Sequence, residues 1–188
     1  YGSGSETVIA NNNYWGTNGI QTTEYVNYSP WLVNKTGTSP QTYKVDDTGS
    51  IQDAIDAAEA GDTIEVAAGT YEESLNIDKG ITLKSINDKE ATIKGVVNID
   101  SDGVTLKKFD VSPDADTIES KEQVIRVSGS NILLESNKVS VEGSPEPNNI
   151  SGVDVHSIHG IHVWSADGIS GVEVRNNIVE NIYFAGQD

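Results

Sequence analysis

Between residues 45 and 83 the hydrophobic pattern changes its period. Ile51, Ala54, Ile55 and Ala58 recur at i, i+3, i+4 and i+7, one apolar stripe on a helix. Ser50 stands where an N-cap belongs and Gly61-Asp62 where a helix stops, so a short helix is predicted over residues 50–60. Beyond Asp62 the period falls to two. Ile64/Val66, Leu75/Ile77 and Ile81/Leu83 alternate with polar residues and are separated by turn residues. A helix with one greasy face, followed at once by very short strands, suggests a plug laid across the open end of a coil of strands.

The alternation then repeats. VTLKKFDV from Val104, ILLESNKV from Ile132 and VEVRNNIV from Val172 align, with apolar residues at positions 1, 3 and 8. Position 6 is Phe109, Asn137 and Asn177. VIANNNYW from Val8 is a further copy, with Asn13 at position 6, and ITLKSI from Ile81 is a partial one. The steps from Ile81 onward are 23, 28 and 40 residues. A step in the low twenties fits one turn of a three-strand coil, and the longest step holds a turn-rich insert at residues 143–149. A second apolar pair precedes each copy: Leu75/Ile77, Val97/Ile99, Ile125/Val127 and Ile161/Val163. The register therefore predicts a solenoid whose rungs stack at ~4.8 Å. Stacked at one inward corner, Asn137 and Asn177 are expected to form an amide ladder.

The ends are expected to be unusual. Residues 6–34 carry a rung-like copy ahead of the predicted helix, as if closing a preceding coil. The last rung-like copy is followed by no capping pattern. The chain is thus read as a front segment over residues 1–40 and a capped coil over residues 41–188, open at its far end. Bare rung edges expose unpaired backbone groups and invite another chain.

Charge narrows the partners. The chain has 29 acidic and 12 basic residues, a net charge of −17, which disfavours nucleic acid and anionic membranes. No 18-residue apolar run exists, so no membrane insertion by a helix is expected. Without cysteine there is no disulfide, thiolate metal site or cysteine nucleophile. Sequons at Asn27, Asn34 and Asn149 are candidate glycosylation sites and give weak support for secretion.

The run GDTIEVAAGTYEESLNIDKGITL resembles the opening of right-handed parallel β-helix proteins of the pectin-lyase-like superfamily. GIHVW and GVEVRNNIVENI look like their later turns, and NNNYWG with YVNYSPWL is similar to the closing segment of archaeal and bacterial cell-surface β-helix repeat proteins. The same segment resembles periplasmic copper-binding β-helix proteins of nitrous oxide reductase maturation. The resemblance implies an all-β, right-handed parallel β-helix with an N-terminal capping helix. It also implies an exported or cell-surface protein in a carbohydrate context. It is specific for fold and poor for function, because this fold hosts lyases, hydrolases, epimerases, adhesins and structural proteins.

The register places outward side chains in columns: Asn76, Asn98, Arg126 and His162; beside it Asp78, Asp100, Ser128 and Trp164; and on the next strand Lys84, Lys107, Glu135 and Arg175. Lyases of the resembled superfamily abstract a proton alpha to a uronate carboxyl and neutralise that carboxylate with a cation or Arg. Arg126, His162 and Lys107 are the candidate catalytic residues. Asp78 and Asp100 are candidate ligands for calcium. Trp164, His162 and Asn98 are candidates for carbohydrate binding, since an exposed Trp face suits a pyranose. His156, His159 and His162 are spaced by three, which on a regular strand puts successive imidazoles on opposite faces. A metal site there requires a turn at Gly160. A solvated column with cross-strand ion pairs is the plainer reading of all these residues.

The leading expectation is a non-enzymatic, extracellular or cell-surface module that builds a structural or adhesive assembly end to end. Its partners would be copies of itself or neighbouring β-helix repeats. A polysaccharide lyase and a passive glycan-binding domain are the alternatives.

Overall fold

The computed structural model describes residues 8–9, 26–27, 31–32, 40–114, 118, 123–142, 159–164 and 168–182. Within them the chain is mostly β, with three parallel sheets of short strands and one short helix, a β-helix-like parallel solenoid. The first sheet runs, in spatial order, Glu173–Arg175, Leu133–Glu135, Thr105–Lys107, Thr82–Ser85, Thr63–Val66, Thr42–Val45 and Trp31–Leu32. The second stacks Ile178–Val179, Lys138–Val139, Asp110–Val111, Ala91–Ile93 and Gly69–Tyr71. The third stacks His159–Val163, Gln123–Val127, Val97–Ile99 and Leu75–Ile77. Parallel neighbours need a long crossover. From Thr63–Val66 onward each crossover of the first sheet is made of one strand in each of the other two sheets, whereas Thr42–Val45 crosses to Thr63–Val66 through the helix.

The registers follow the apolar pairs of the sequence. Val97 lies opposite Leu75 and Ile125, and Ile99 opposite Ile77 and Val127. Leu106 lies opposite Leu83 and Leu134. With period two, both members of an apolar i, i+2 pair point inward, and these aliphatics fill the axis: Ile64, Leu83, Leu106, Leu134, Ile77, Ile99, Ile125 and Val127 are all fully buried.

Ile51–Ala57 forms the helix, α1. Its buried residues are Ile51, Ala54 and Ile55, and it packs against Thr42–Val45, Thr63–Val66 and Leu75–Ile77. Ser50 Oγ accepts the Asp53 N–H at 3.1 Å, as an N-cap should. Glu73, from the next loop, adds a second cap. Its carboxylate accepts the Ile51 N–H at 2.7 Å, the Gln52 N–H at 3.1 Å and the Ser50 hydroxyl at 2.9 Å. Negative charge at a helix N-terminus is favourable, and these are donors the helix cannot satisfy itself. The helix ends before residue 60, because Ala58 is already extended and Asp62 claims the following backbone. The fully buried Asp62 carboxylate accepts from the Glu59 N–H at 2.8 Å and the Gln41 N–H at 2.7 Å.

The corner between the first and second sheets holds the amide ladder. Asn137 is fully buried; its Oδ1 accepts the Phe109 N–H at 3.1 Å, and its Nδ2 donates to Leu106 O and Asn177 Oδ1, each at 3.0 Å. Asn177 Oδ1 also accepts the Asn137 N–H at 2.9 Å. The residue before each ladder position takes a left-handed backbone: Lys108 (φ 67°), Ser136 (φ 60°) and Asn176 (φ 57°). The turn before Ile81 packs just as tightly, since a Cβ on Gly80 would meet the Asp102 carbonyl oxygen at 2.6 Å.

The front segment is tied to both kinds of pairing. Val8–Ile9 pairs in parallel with Val26–Asn27, apart from the other sheets. Trp31–Leu32 joins the first sheet antiparallel to Thr42–Val45, with Trp31 opposite Lys44.

Asn137→Ala strands the Phe109 N–H and the Leu106 carbonyl in a dry corner. It is expected to lower unfolding free energy in urea titration by about 3 kcal/mol. Asn177→Ala, at the exposed last turn, is expected to cost about 1 kcal/mol. Equal losses at both positions would contradict the ladder's burial gradient. Glu73→Ala should cost ~1–2 kcal/mol by removing the second helix cap.

Candidate functional site

The outward columns are where this fold presents side chains to a partner. On the third sheet Asn98 lies between Asn76 and Arg126, and Arg126 lies opposite His162. The neighbouring column, Asp100, Ser128 and Trp164, is built by backbone bonds one turn apart. The Arg126 Nη2 donates to both Asp100 oxygens, at 2.8 and 3.0 Å, and Ser128 Oγ donates to Asp100 Oδ1 at 2.5 Å. Asp100 is thus already committed to three donated bonds. Asp78, largely exposed, stands 3.7 Å from Lys79. The calcium candidates therefore have partners within the chain. Among the described residues no group of three or more His, Cys, Asp or Glu is arranged to hold a metal ion.

The histidines depart from the expectation. The His159 and His162 rings stack with centroids 5.2 Å apart and planes at 22°, so the two share a face. The cause lies in the strand. Val124 and Ile125 are both buried in Gln123–Val127, and Gly160 and Ile161 repeat that break in alternation one turn on, His159 standing opposite Gln123. An extra inward residue returns i and i+3 to the same side. Gly160 is needed there, since a Cβ would meet Val179 at 2.6 Å. His156 lies outside the described residues.

Trp164 is 64% exposed at the end of this face, beyond His162. Asn98 and His162 are half-buried on it. The third sheet thus gathers Asn98, Arg126, His162 and Trp164. Lys107 is elsewhere, on the first sheet between Lys84 and Glu135. The three catalytic candidates are not on one sheet. The insert at residues 143–149 and the sequons at Asn34 and Asn149 lie outside the described residues, and Asn27 is described only as strand backbone.

The first sheet's outer face carries ion pairs at rung spacing. Glu65 lies 2.8 Å from Lys84 and 3.6 Å from Lys44. The hydrogen bond from Lys84 holds the Glu65 carboxyl below its ordinary value, against the opposing effect of partial burial. Arg175 reaches Glu135 and Glu173, each at 2.8 Å. On the second sheet Lys138 lies 3.4 Å from Asp110 and 3.3 Å from Glu180, and the charge of Asp110 first, then the Glu180 bond, raises its pKa. Near the helix, burial and the nearby carboxylates of Asp46, Asp47 and Glu73 push the Tyr71 hydroxyl up to about 12. It donates to Ala67 O at 3.0 Å and Asp46 O at 3.1 Å.

The remaining feature is the last turn. Inward positions that are fully buried at Leu106, Leu134, Val111, Val139 and Val127 are open at Val174 (47%), Val179 (50%) and Val163 (41%). With Ile161 and Ile182 they line an apolar hollow of about 730 Å³. The sequence reading missed Glu73, whose role depends on a loop meeting a helix 22 residues away. It also missed the stacked imidazoles, whose signal was the adjacent apolar pair Val124-Ile125.

Comparison with protein-family models, curated proteins and solved structures finds no match to this chain.

A depressed folded-state value means that Glu65 stabilises fully above its ordinary value of 4.5 and loses that contribution as pH falls through the folded value. The stability gap between wild type and Glu65→Gln is expected to be under about 1 kcal/mol at neutral pH, since the pair is partly solvated. Urea titrations at successive pH values should show it shrinking in acid. A gap unchanged down to strongly acid pH would refute the assignment.

Proposed function

We propose that this chain is a structural or adhesive module, secreted or displayed at a cell surface, whose solenoids stack end to end. One observation carries the reading. Among the described residues, the last turn presents apolar inward positions and the unpaired edges of three parallel strands, where earlier turns bury the same positions completely. An apolar mouth rimmed by backbone donors and acceptors suits another rung better than it suits water. The coil is taken as right-handed, because parallel crossovers are so in about 98% of cases. Helix α1 is taken as the lid of the opposite end, since it buries Ile51, Ala54 and Ile55 against the first strands.

The outer columns support a scaffold role. Their charged groups neutralise one another, as Arg126 does with Asp100 and Arg175 with Glu135. The test is electron microscopy with sedimentation over a range of concentrations. Elongated particles growing with concentration are expected. A chain that stays monomeric at the highest attainable concentration would sink the proposal.

One observation favours a second reading, passive glycan binding: the exposed Trp164 beside the His159–His162 stack and the polar groups of Arg126 and Asn98. Sugar rings stack on such a face. On a glycan array, Trp164→Ala should lose at least about tenfold in affinity for any bound glycan, equivalent to ~1.4 kcal/mol. Unchanged binding would remove this reading. No turnover is expected on uronans, with or without calcium.

A further inference from the structure

Two outward serines of the second sheet are shut away from water. In that sheet Asp110 lies opposite Thr92 and Lys138. In the next column the Ser112 N–H donates to Ile93 O at 2.9 Å, the Ser140 N–H to Val111 O at 3.0 Å and the Glu180 N–H to Val139 O at 3.0 Å, so Lys94, Ser112, Ser140 and Glu180 stand one above another. Ser112 and Ser140 are only 2% and 3% exposed. By contrast, the Asp100 and Arg126 side chains on the third sheet are 35% and 45% exposed. Serine is mostly an exposed residue, and a buried hydroxyl needs a partner.

Two buried polar atoms on this face have no hydrogen-bond partner among the described residues: Asp110 Oδ1 and Ser112 Oγ. We infer that one buried water molecule bridges them. Val111, between them in sequence, is fully buried on the inward side, so both side chains stand on the outer face of one strand. Their bases are ~7 Å apart, two residues of a strand. The carboxylate and the hydroxyl do not bond each other. One small molecule making two bonds of ~2.8 Å spans such a gap. Left alone, each atom would carry its full desolvation penalty.

The surrounding charges decide what the molecule is. Asp110 Oδ2 lies 3.4 Å from Lys138 Nζ, which it shares with Glu180, and Lys94 pairs with Glu142. Both ammonium groups are thus committed. A metal cation would stand on a face that already carries them, and it would find two side-chain oxygens where calcium takes ~6–8. An anion would meet the Asp110 carboxylate. A neutral molecule that both donates and accepts suits the pair. Water gives one hydrogen to Asp110 Oδ1 and takes the hydrogen of the Ser112 hydroxyl, the smallest set of partners that holds a buried water.

Deuterium relaxation dispersion tests this, since it counts water molecules held inside a folded protein for longer than those on its surface. Wild type should hold one more than the Ser112→Ala variant. The variant should also lose about fivefold in its folded-to-unfolded ratio by urea titration, because the water loses a partner and Asp110 Oδ1 is left bare. A hydroxyl with nothing to bond predicts the opposite sign, since removing it relieves the structure. An equal water count, or a Ser112→Ala variant more stable than wild type, overturns the site. Exchanging sodium chloride for choline chloride at equal ionic strength should leave the wild-type ratio unchanged. A loss in choline identifies a metal cation instead and overturns the water. Should Ser112→Ala fail to fold, Ser112→Cys keeps the volume and weakens both bonds. It is expected to hold one water fewer than wild type, and an unchanged count overturns the site equally.

Discussion

Everything in this molecule depends on a fixed vertical distance. Parallel strands of successive turns sit ~4.8 Å apart, and in register, so each side chain's neighbours are the residues one turn above and below. That single spacing decides the core, where aliphatics stack on aliphatics along the axis. It decides the Asn137–Asn177 ladder, where one amide oxygen serves the peptide N–H and the side chain of the turn beneath. It also makes the fold quasi-one-dimensional, so that a turn's stability comes mainly from its two neighbours. Among the described residues, fully buried Val139 has a stacked neighbour on each side and half-exposed Val179 has one.

The same spacing organises the charges. Outward side chains one turn apart are close enough to attract or repel: Lys44–Glu65–Lys84 alternate in sign within one column, and Asp100–Arg126 and Lys138–Glu180 pair between adjoining columns. A chain of net charge −17 therefore keeps its repulsion away from much of its stacked surface. Arg126 shows the chemical consequence. As a lone guanidinium it is a natural partner for an anionic sugar; held in a fork by Asp100 it is a cross-strand tie. Lys107, on another sheet, does not join it.

The repeating part of the fold was legible because period-two alternation is a local property. Val97/Ile99, Ile125/Val127 and Ile161/Val163 announce their strands and their pairing without help from distant residues. The amide ladder was legible for the same reason, since Asn137 and Asn177 share a position in aligned copies. What the alternation hid were its exceptions. Val124-Ile125 breaks the period, and with it the rule that placed His159 and His162 on opposite faces. Helix α1 is shorter than its apolar stripe because Asp62 captures the chain beyond it, a contact with Gln41 and Glu59 that no window of periodicity contains. The cap supplied by Glu73 is likewise invisible to local pattern, since it exists only once its loop lies against Ser50 and Ile51.

The antiparallel strand Trp31–Leu32 gives the first sheet a direction. Every other strand in that sheet repeats the hydrogen-bond spacing of the one before it, so each can template its successor. A reversed strand carries a different spacing and offers no such template. The two borders of the first sheet are therefore chemically unlike, and the sheet as described carries a polarity from its reversed strand to its parallel ones.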